Sequence, residues 1–220
     1  MSIRKKILAI SIGPVLVLGV ITLLFMLTMV KSSLMDEVQD ALKGTAAATL
    51  AAYDQNTGDY LESTNGDIWK GSYNISKSES LVDRIKENTG MDVTFFYGNK
   101  RIMTSALDKK GNRILGSEAG ERVVNQVIKG KKPFFSTNVS LDGTRNYGYF
   151  IPVYQNGTTD QVIGMVFVGT NKARKDAIVN KILGSIMMAL LVVMLLCIVT
   201  AMRMACLLYT SDAADDRISV

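Results

Sequence analysis

Residues 89–105 read TGMDVTFFYGNKRIMTS, and within this stretch the chain changes from a helical to an extended pattern. Before it, apolar residues recur at three- and four-residue steps over 78–88, which predicts a short helix that ends at Gly90. After Gly90 the residues are mostly strand formers, and Gly98-Asn99 is typical of a hairpin turn. The stretch therefore predicts two antiparallel strands, at 91–97 and 100–105.

The rest of this region continues the same alternation of helix and strand. We predict a helix over 118–129, closed by Gly130, and then three strands, at 134–141, 144–154 and 161–169. Asp142-Gly143 between the first two of these strands is a strong hairpin signal. Five strands joined by turns and accompanied by helices predict an α+β fold with one antiparallel five-stranded sheet.

Upstream of the sheet, the sequence predicts a long helix and then a loop. Apolar and small residues at helical spacing over 31–53 predict a helix that continues out of an apolar segment. Residues 54–74 are rich in Gly, Asn and Ser, so we predict turns and loop there. Ile68 and Trp69 are expected to hold this loop against the core.

Two apolar segments frame the chain. Residues 7–30 and 182–202 contain no charged side chain, and about 20 apolar residues are enough to span a membrane as a helix. A cleaved signal peptide is a poorer interpretation of the first segment, because it is too long and no small-residue cleavage site follows it. Arg4, Lys5 and Lys6 favour a cytoplasmic N-terminus. Two spans then place the intervening segment outside the cell membrane.

This layout divides the chain into five parts. We expect a cytoplasmic N-terminus at 1–6, a transmembrane helix at 7–30, an extracytoplasmic domain at 31–177, a second transmembrane helix at 178–203, and a juxtamembrane end at 204–220. Within that end, residues 206–216 read CLLYTSDAADD, which resembles a translated sequencing adapter. We therefore expect the native chain to continue into a cytoplasmic signalling region, and we expect 206–220 not to pack on the outer domain.

Composition excludes several kinds of site. The 220 residues include no His and two Cys, so a Ser-His-Asp triad, a His-ligated metal and a four-Cys zinc site are excluded. The outer carboxylates, such as Asp92, Asp142 and Asp160, occur in no catalytic motif, so we expect no enzyme, no metal and no cofactor. Basic and acidic residues are nearly balanced in the outer segment, which does not favour nucleic-acid binding.

Five motifs in order resemble the single-Cache sensor domains of bacterial receptors. They are TGMDVTFF at 89–96, RIMTS at 101–105, GNR at 111–113 with Gly116, YFIP at 149–152 and VIGMVFVG at 162–169. The resemblance covers about 78–170. It implies a transmembrane receptor, most often a methyl-accepting chemotaxis protein, with a PAS-like sheet that has a small-molecule pocket on one face. Histidine kinases and cyclic-dinucleotide enzymes carry similar domains and are the alternative outputs. A passive membrane-anchored binding module would instead have a sheet without a pocket.

The resemblance also implies where a ligand binds. Family contacts come from the second strand and from later strands of the sheet, and alternation places Arg145, Tyr147 and Tyr149 on one face of the fourth strand. The predicted ligand-binding residues are Arg101, Thr104, Ser105, Arg145, Tyr147 and Tyr149. Two arginines with hydroxyl donors favour a carboxylate or an amino acid. We further expect a homodimer, with the helix over 31–53 at the interface, that passes a helix displacement to cytoplasmic signalling partners.

Overall fold

The computed structural model describes residues 3–156 and 158–215. In chain order the elements are α1 (Ile3–Asp54), β1 (Tyr60–Glu62), β2 (Ile68–Lys70), β3 (Tyr73–Asn74), α2 (Glu79–Thr89), β4 (Asp92–Tyr97), β5 (Lys100–Thr104), α3 (Glu121–Val123), a π-helix (Val124–Lys129), β6 (Phe134–Leu141), β7 (Thr144–Tyr154), β8 (Val162–Asn171) and α4 (Lys172–Asp215). The chain divides into two compact units. One is Met35–Asp176, which lies within the predicted range 31–177, and the other consists of the two helical ends.

Both helical ends contain an apolar segment long enough to cross a membrane, within Ile12–Asp54 and Lys172–Met204. Large apolar side chains such as Leu18, Phe25 and Leu196 are exposed along these helices. A helix that is apolar on all sides and is not buried in protein has the surface expected of a membrane span. The backbone of α4 continues to Asp215. We expected residues 206–220 not to pack on the outer domain. That expectation concerns side chains beyond 204 and residues 216–220, which lie outside the described part of the structure.

The five-stranded antiparallel sheet is confirmed. Its strand order is β5-β4-β8-β7-β6, so the two hairpins predicted from Gly98-Asn99 and Asp142-Gly143 flank the central strand β8. Asp142 and Gly143 have φ values of 45° and 76°, which is the left-handed backbone that a two-residue hairpin turn requires. The turn sequences alone could indicate the β4–β5 and β6–β7 pairs. The β4–β8 pair joins strands that are distant in the sequence, so no turn indicates it.

Alternation along the strands gives the sheet two apolar faces. We call the face covered by α1 and α2 the helix face; there Tyr53 of α1 packs edge-on against Phe95 at 5.2 Å between ring centroids. The opposite face, which we call the cavity face, carries Phe96, Phe150 and Phe167. Side chains of successive strand residues point to opposite faces, so neighbouring Phe95 and Phe96 belong to different cores.

The loop predicted over 54–74 is wrong, since this segment forms a small antiparallel sheet in the order β1-β2-β3. Tyr60 and Ile68 are buried in the helix-face core, whereas Trp69 is half-buried. Lys70 is also buried, with its Nζ 2.7 Å from an Asp54 carboxylate oxygen and 4.1 Å from the centroid of the Tyr60 ring. Strands of two or three residues are too short for a visible alternation, and a buried lysine hides the apolar pattern.

The helix predicted over 118–129 begins later and is largely π-helical. Residues before Glu121 extend the sheet instead: Arg101 N–H donates to the Ser117 carbonyl at 2.9 Å, and Ala119 N–H donates to the Asn99 carbonyl at 2.8 Å. This pairing covers the open edge of β5. Val127 of the π-helix is fully buried. Residues 117–119 pair with the edge of β5 instead of forming a helix. Sequence periodicity cannot detect this competition between pairing and helix formation.

An ion pair holds the loop after β5 against α2. The Arg113 guanidinium donates to both carboxylate oxygens of Asp83, at 2.6 and 2.9 Å, and to the Thr104 carbonyl at 2.7 Å. These hydrogen bonds keep the pKa of Asp83 below its ordinary value. Arg113 is therefore a structural anchor of the 106–116 loop.

We expect Asp83→Asn to destabilise the protein by about 1 kcal/mol at neutral pH, a figure reduced because the carboxylate is 44% exposed. A carboxylate with a depressed pKa stabilises the fold above its unfolded-state pKa of about 3.9 and loses that contribution as pH falls through the lower folded value. The difference between parent and variant should therefore shrink as pH falls below about 3.9. Denaturant unfolding at pH 6 and pH 2 measures it. Asp160→Asn is the control, because that carboxylate is 94% exposed and its loss should change stability little.

Candidate ligand-binding site

A cavity of about 510 Å³ lies on the cavity face of the sheet. Phe96, Phe150 and Phe167 form its apolar floor, β6 forms one wall, and the segment 118–123 forms another. A volume of this size is within the range of pockets for small ligands. The cavity therefore has the apolar base and the polar walls that a small-molecule site requires.

Two glycines let the Phe167 ring lie flat across the floor. A Cβ atom on Gly148 would come 2.5 Å from the Phe167 ring and 2.8 Å from Val139, and a Cβ atom on Gly169 would also overlap that ring. Larger residues at these positions would push the ring into the space that remains open. The glycines of β7 and β8 thus contribute to the volume of the cavity.

Arg101 is the charged group buried in this cavity. It is 8% exposed, its guanidinium carbon lies 5.4 Å from the centroid of the Phe96 ring, and its Nη1 donates to the Ile114 carbonyl at 3.2 Å. Its Nε has no hydrogen-bond partner among the described residues, and no carboxylate there pairs with it. Burial lowers the pKa of Arg101. A buried charge without a counter-charge costs free energy, so this position favours an anion.

The walls add polar groups that were not predicted as site residues. Ser136 and Asn138 of β6 line the cavity, with Glu118 and Arg122 on the opposite wall. The Arg122 guanidinium lies 5.4 Å from the ring centroid of Phe134. For the β6 residues of the wall, the one signal in the sequence was a run of polar residues within an otherwise apolar strand. Arg122 occurs in no motif, and only the fold brings it to the cavity.

Of the six residues predicted to bind a ligand, Arg101 lies in the cavity wall. Thr104 and Ser105 are buried and join β4 to β5: the Thr104 and Thr94 hydroxyls are 2.7 Å apart, and the Ser105 hydroxyl accepts a hydrogen bond from the Val93 N–H at 2.9 Å. Their hydroxyls are therefore engaged in the sheet rather than directed to the cavity.

The three β7 residues also lie apart from Arg101. Tyr147 and Tyr149 are buried in the helix-face core, on the other side of the sheet. The Tyr147 hydroxyl donates to Asp176 Oδ1 at 2.6 Å, and burial is the main cause that raises its pKa to about 12. Arg145 is exposed beside the hairpin turn. Alternation correctly grouped the two tyrosines, but it could not tell which face of the sheet holds the cavity.

Among the described residues, no group of three or more Cys, Asp or Glu side chains is placed to hold a metal ion. The cavity offers two guanidinium groups, hydroxyl and amide groups and a carboxylate to a ligand, on an apolar floor.

The match to a protein family agrees with this architecture. A comparison with curated protein sequences gave no match. Among solved structures, the chain is similar to an extracellular ligand binding receptor from Desulfohalobium retbaense, with 15% identity and a TM-score of 0.47 over 68% of this chain and 26% of that one. The chain thus spans about a quarter of that receptor's length. The family described as single Cache domain 3 matches residues 73–182, from β3 into α4. With half of its length in that match, the chain belongs to the single Cache domain 3 family.

Proposed function

We propose that this protein is the sensory part of a two-pass bacterial membrane receptor and that it binds a small carboxylate in the cavity. The observation that carries the proposal is Arg101, a buried guanidinium with an unpartnered Nε in the wall of a ligand-sized cavity. The planar guanidinium donates parallel hydrogen bonds to both oxygens of a carboxylate. An organic acid would supply the counter-charge that Arg101 lacks.

The walls favour a ligand with further polar groups. Ser136 and Asn138 offer hydrogen bonds to hydroxyl or second carboxyl groups, and Glu118 offers an acceptor for the ammonium of an amino acid. Hydroxy acids, dicarboxylates and amino acids are therefore the candidates.

Calorimetry on the full chain in lipid nanodiscs tests this proposal. The panel comprises acetate, L-lactate, L-malate, succinate, citrate, L-alanine and L-glutamate, with succinamide as the neutral counterpart of succinate. We expect at least one carboxylate to bind saturably and succinamide not to bind. If no acid in the panel binds, or if succinamide binds as tightly as succinate, the proposal is wrong.

Two other classes of function fit the molecule less well. A passive binding module was expected to have no pocket, whereas the sheet has one. A Cache domain is a sensory domain, so family membership supports binding rather than catalysis. A folded domain between two membrane helices can report binding inward only by moving those helices, and the ligand must then prefer one arrangement over the other.

We propose a chemoreceptor as the parent protein, with a histidine kinase or a cyclic-dinucleotide enzyme as the alternative. The cytoplasmic module would follow the apolar segment of α4, in place of the adapter-like residues 206–220. Sequencing the genomic locus distinguishes these outputs: a long helical methyl-accepting region supports the first, and a catalytic domain supports the second. Recovery of the same tail from intact genomic DNA would contradict the interpretation of 206–220.

The topology is tested by cysteine labelling. In a variant lacking Cys197 and Cys206, we expect Lys110→Cys to react with a membrane-impermeant maleimide in right-side-out vesicles, because Lys110 is exposed in the outer domain. Ser2→Cys is the matched control and should react only in inverted vesicles. The opposite pattern would place the domain in the cytoplasm.

We also propose a homodimer with α1 at the interface. Leu42, Ala46 and Tyr53 of α1 are buried in the domain's own core, so only the remaining side of the helix is free for a partner. That side includes Gly44 and Ala48, which line a shallow groove with α2. We expect Ala48→Cys to form disulfide-linked dimers in membranes, and Asn112→Cys, on an exposed loop, not to do so. Equal cross-linking at both positions would contradict an α1 interface.

A further inference from the structure

Two contacts tie the cavity wall to the first turns of α4. Strand β6, including Thr137, forms one wall of the cavity. Its Phe134 ring packs on the cavity face, whereas the Phe135 ring lies on the helix face. The Phe135 ring stacks on Tyr147, with 6.4 Å between centroids and 9° between planes, and the Tyr147 hydroxyl donates to Asp176 of α4 at 2.6 Å. Separately, Lys172 Nζ donates to the Thr137 carbonyl at 3.1 Å. The strand that forms one wall of the cavity is thus one or two contacts from the helix that leaves the domain.

The two α4 residues act on the same side of the helix. Lys172 and Asp176 are four residues apart, a spacing that places side chains on one face. Lys172 Nζ also lies 5.2 Å from the centroid of the Tyr147 ring, so the two contacts meet at one tyrosine. The Tyr147–Asp176 bond has a charged acceptor, which makes it stronger than an ordinary hydrogen bond. Together these contacts set the position of the first helical turns relative to β6 and β7.

Strand β6 is the part of the sheet best able to move. It lies at the edge, where it pairs only with β7, and its register shifts between Ser136 and Val139, within the cavity wall. Because β6 pairs on one side only and that pairing is interrupted, this segment has fewer backbone hydrogen bonds than the central strands. A ligand that contacts Ser136 or Asn138 therefore acts on a deformable element.

We infer that β6 transmits occupancy of the cavity to α4, and that Tyr147, Asp176 and Lys172 are positioning residues for this step. The inference rests on the proposed function, because it assigns to the same cavity a route by which binding is reported. Tyr147 then acts through α4 rather than by touching a ligand. Small displacements of packed helices are sufficient for such signals.

Hydrogen exchange of the full chain in nanodiscs tests the route without any ligand. The readout is the exchange rate of the backbone amides of 176–180, which follow the Asp176 contact. The contact of β6 with Tyr147 is removed by Phe135→Leu. Phe134→Leu is the matched control, because the neighbouring Phe134 ring lies on the cavity face, where it packs on Phe150, and does not stack on Tyr147. Each is measured in the parent and in Tyr147→Phe. Exchange in β4 and β8 reports whether each variant is folded.

We expect Phe135→Leu to raise exchange of 176–180 by about tenfold in the parent and to add nothing in Tyr147→Phe, whereas Phe134→Leu leaves this segment unchanged. Lys172→Met, at a partly exposed position, should raise exchange by a few-fold in a folded protein. The route is overturned if Phe134→Leu and Phe135→Leu have equal effects, or if their effects add to that of Tyr147→Phe. These outcomes do not depend on whether a carboxylate binds, so failure of the route and failure of the proposed function are separate results.

Discussion

Replacing Arg101 with methionine is expected to weaken binding of the carboxylate found by calorimetry by roughly 10- to 150-fold, because a charge-assisted hydrogen-bonded contact contributes about 1.5–3 kcal/mol. The same substitution should not destabilise the unliganded protein, and we expect a small gain in stability. Arg101 is a buried charge without a counter-charge among the described residues, and an apolar side chain of similar length removes that cost. Loss of affinity with retained stability is the signature of a binding residue.

Arg145→Met is the matched control for Arg101→Met. Arg145 was the second arginine expected at the site, but it is exposed beside the hairpin and does not line the cavity. We expect its replacement to leave the affinity for the carboxylate unchanged. If Arg101→Met instead lowers stability by several kcal/mol and leaves affinity intact, Arg101 is a structural residue and another group must bind the ligand.

Gly164→Ala is expected to destabilise the protein by about 3 kcal/mol or more, enough to unfold a domain of ordinary stability. Gly164 lies in the central strand β8, where the backbone of β4 approaches it closely, and a Cβ atom there would overlap the Phe96 carbonyl oxygen. The neighbouring atoms are backbone on a paired strand, so they cannot move aside as a flexible side chain would. Denaturant unfolding in detergent measures the loss, and a collapse in the yield of folded protein is the extreme form of it.

Gly44→Ala provides the comparison for Gly164→Ala. Gly44 is exposed in α1, and a Cβ atom there would have no neighbour within 4 Å. Alanine is a better helix former than glycine, so we expect a gain of up to about 1 kcal/mol. A similar small effect at both positions would show that β8 can shift away from β4, contrary to the close packing described above.

Much of the architecture was predictable because its signals are local. Gly98-Asn99 and Asp142-Gly143 specify turns by their own backbone preferences. The strands that each turn joins show a period of two residues. The apolar segments 7–30 and 182–202 are recognisable from length and charge alone. The small sheet at Tyr60–Asn74 and the π-helix at Val124–Lys129 were not predictable, because one depends on a buried lysine and the other on edge pairing.

The sequence by itself determined the order of the five strands of the large sheet along the chain, the two apolar flanks, the family and the face that each strand residue shares with its neighbours. The tertiary structure alone decided that Arg101 lies in a cavity while Tyr147 and Tyr149 pack beneath α1, and that β6 supplies the polar wall. Alternation assigns side chains to one of two faces, but it does not say which face a helix covers. That depends on where α1 packs, and the packing is set by contacts between residues far apart in the chain, such as Tyr53 with Phe95.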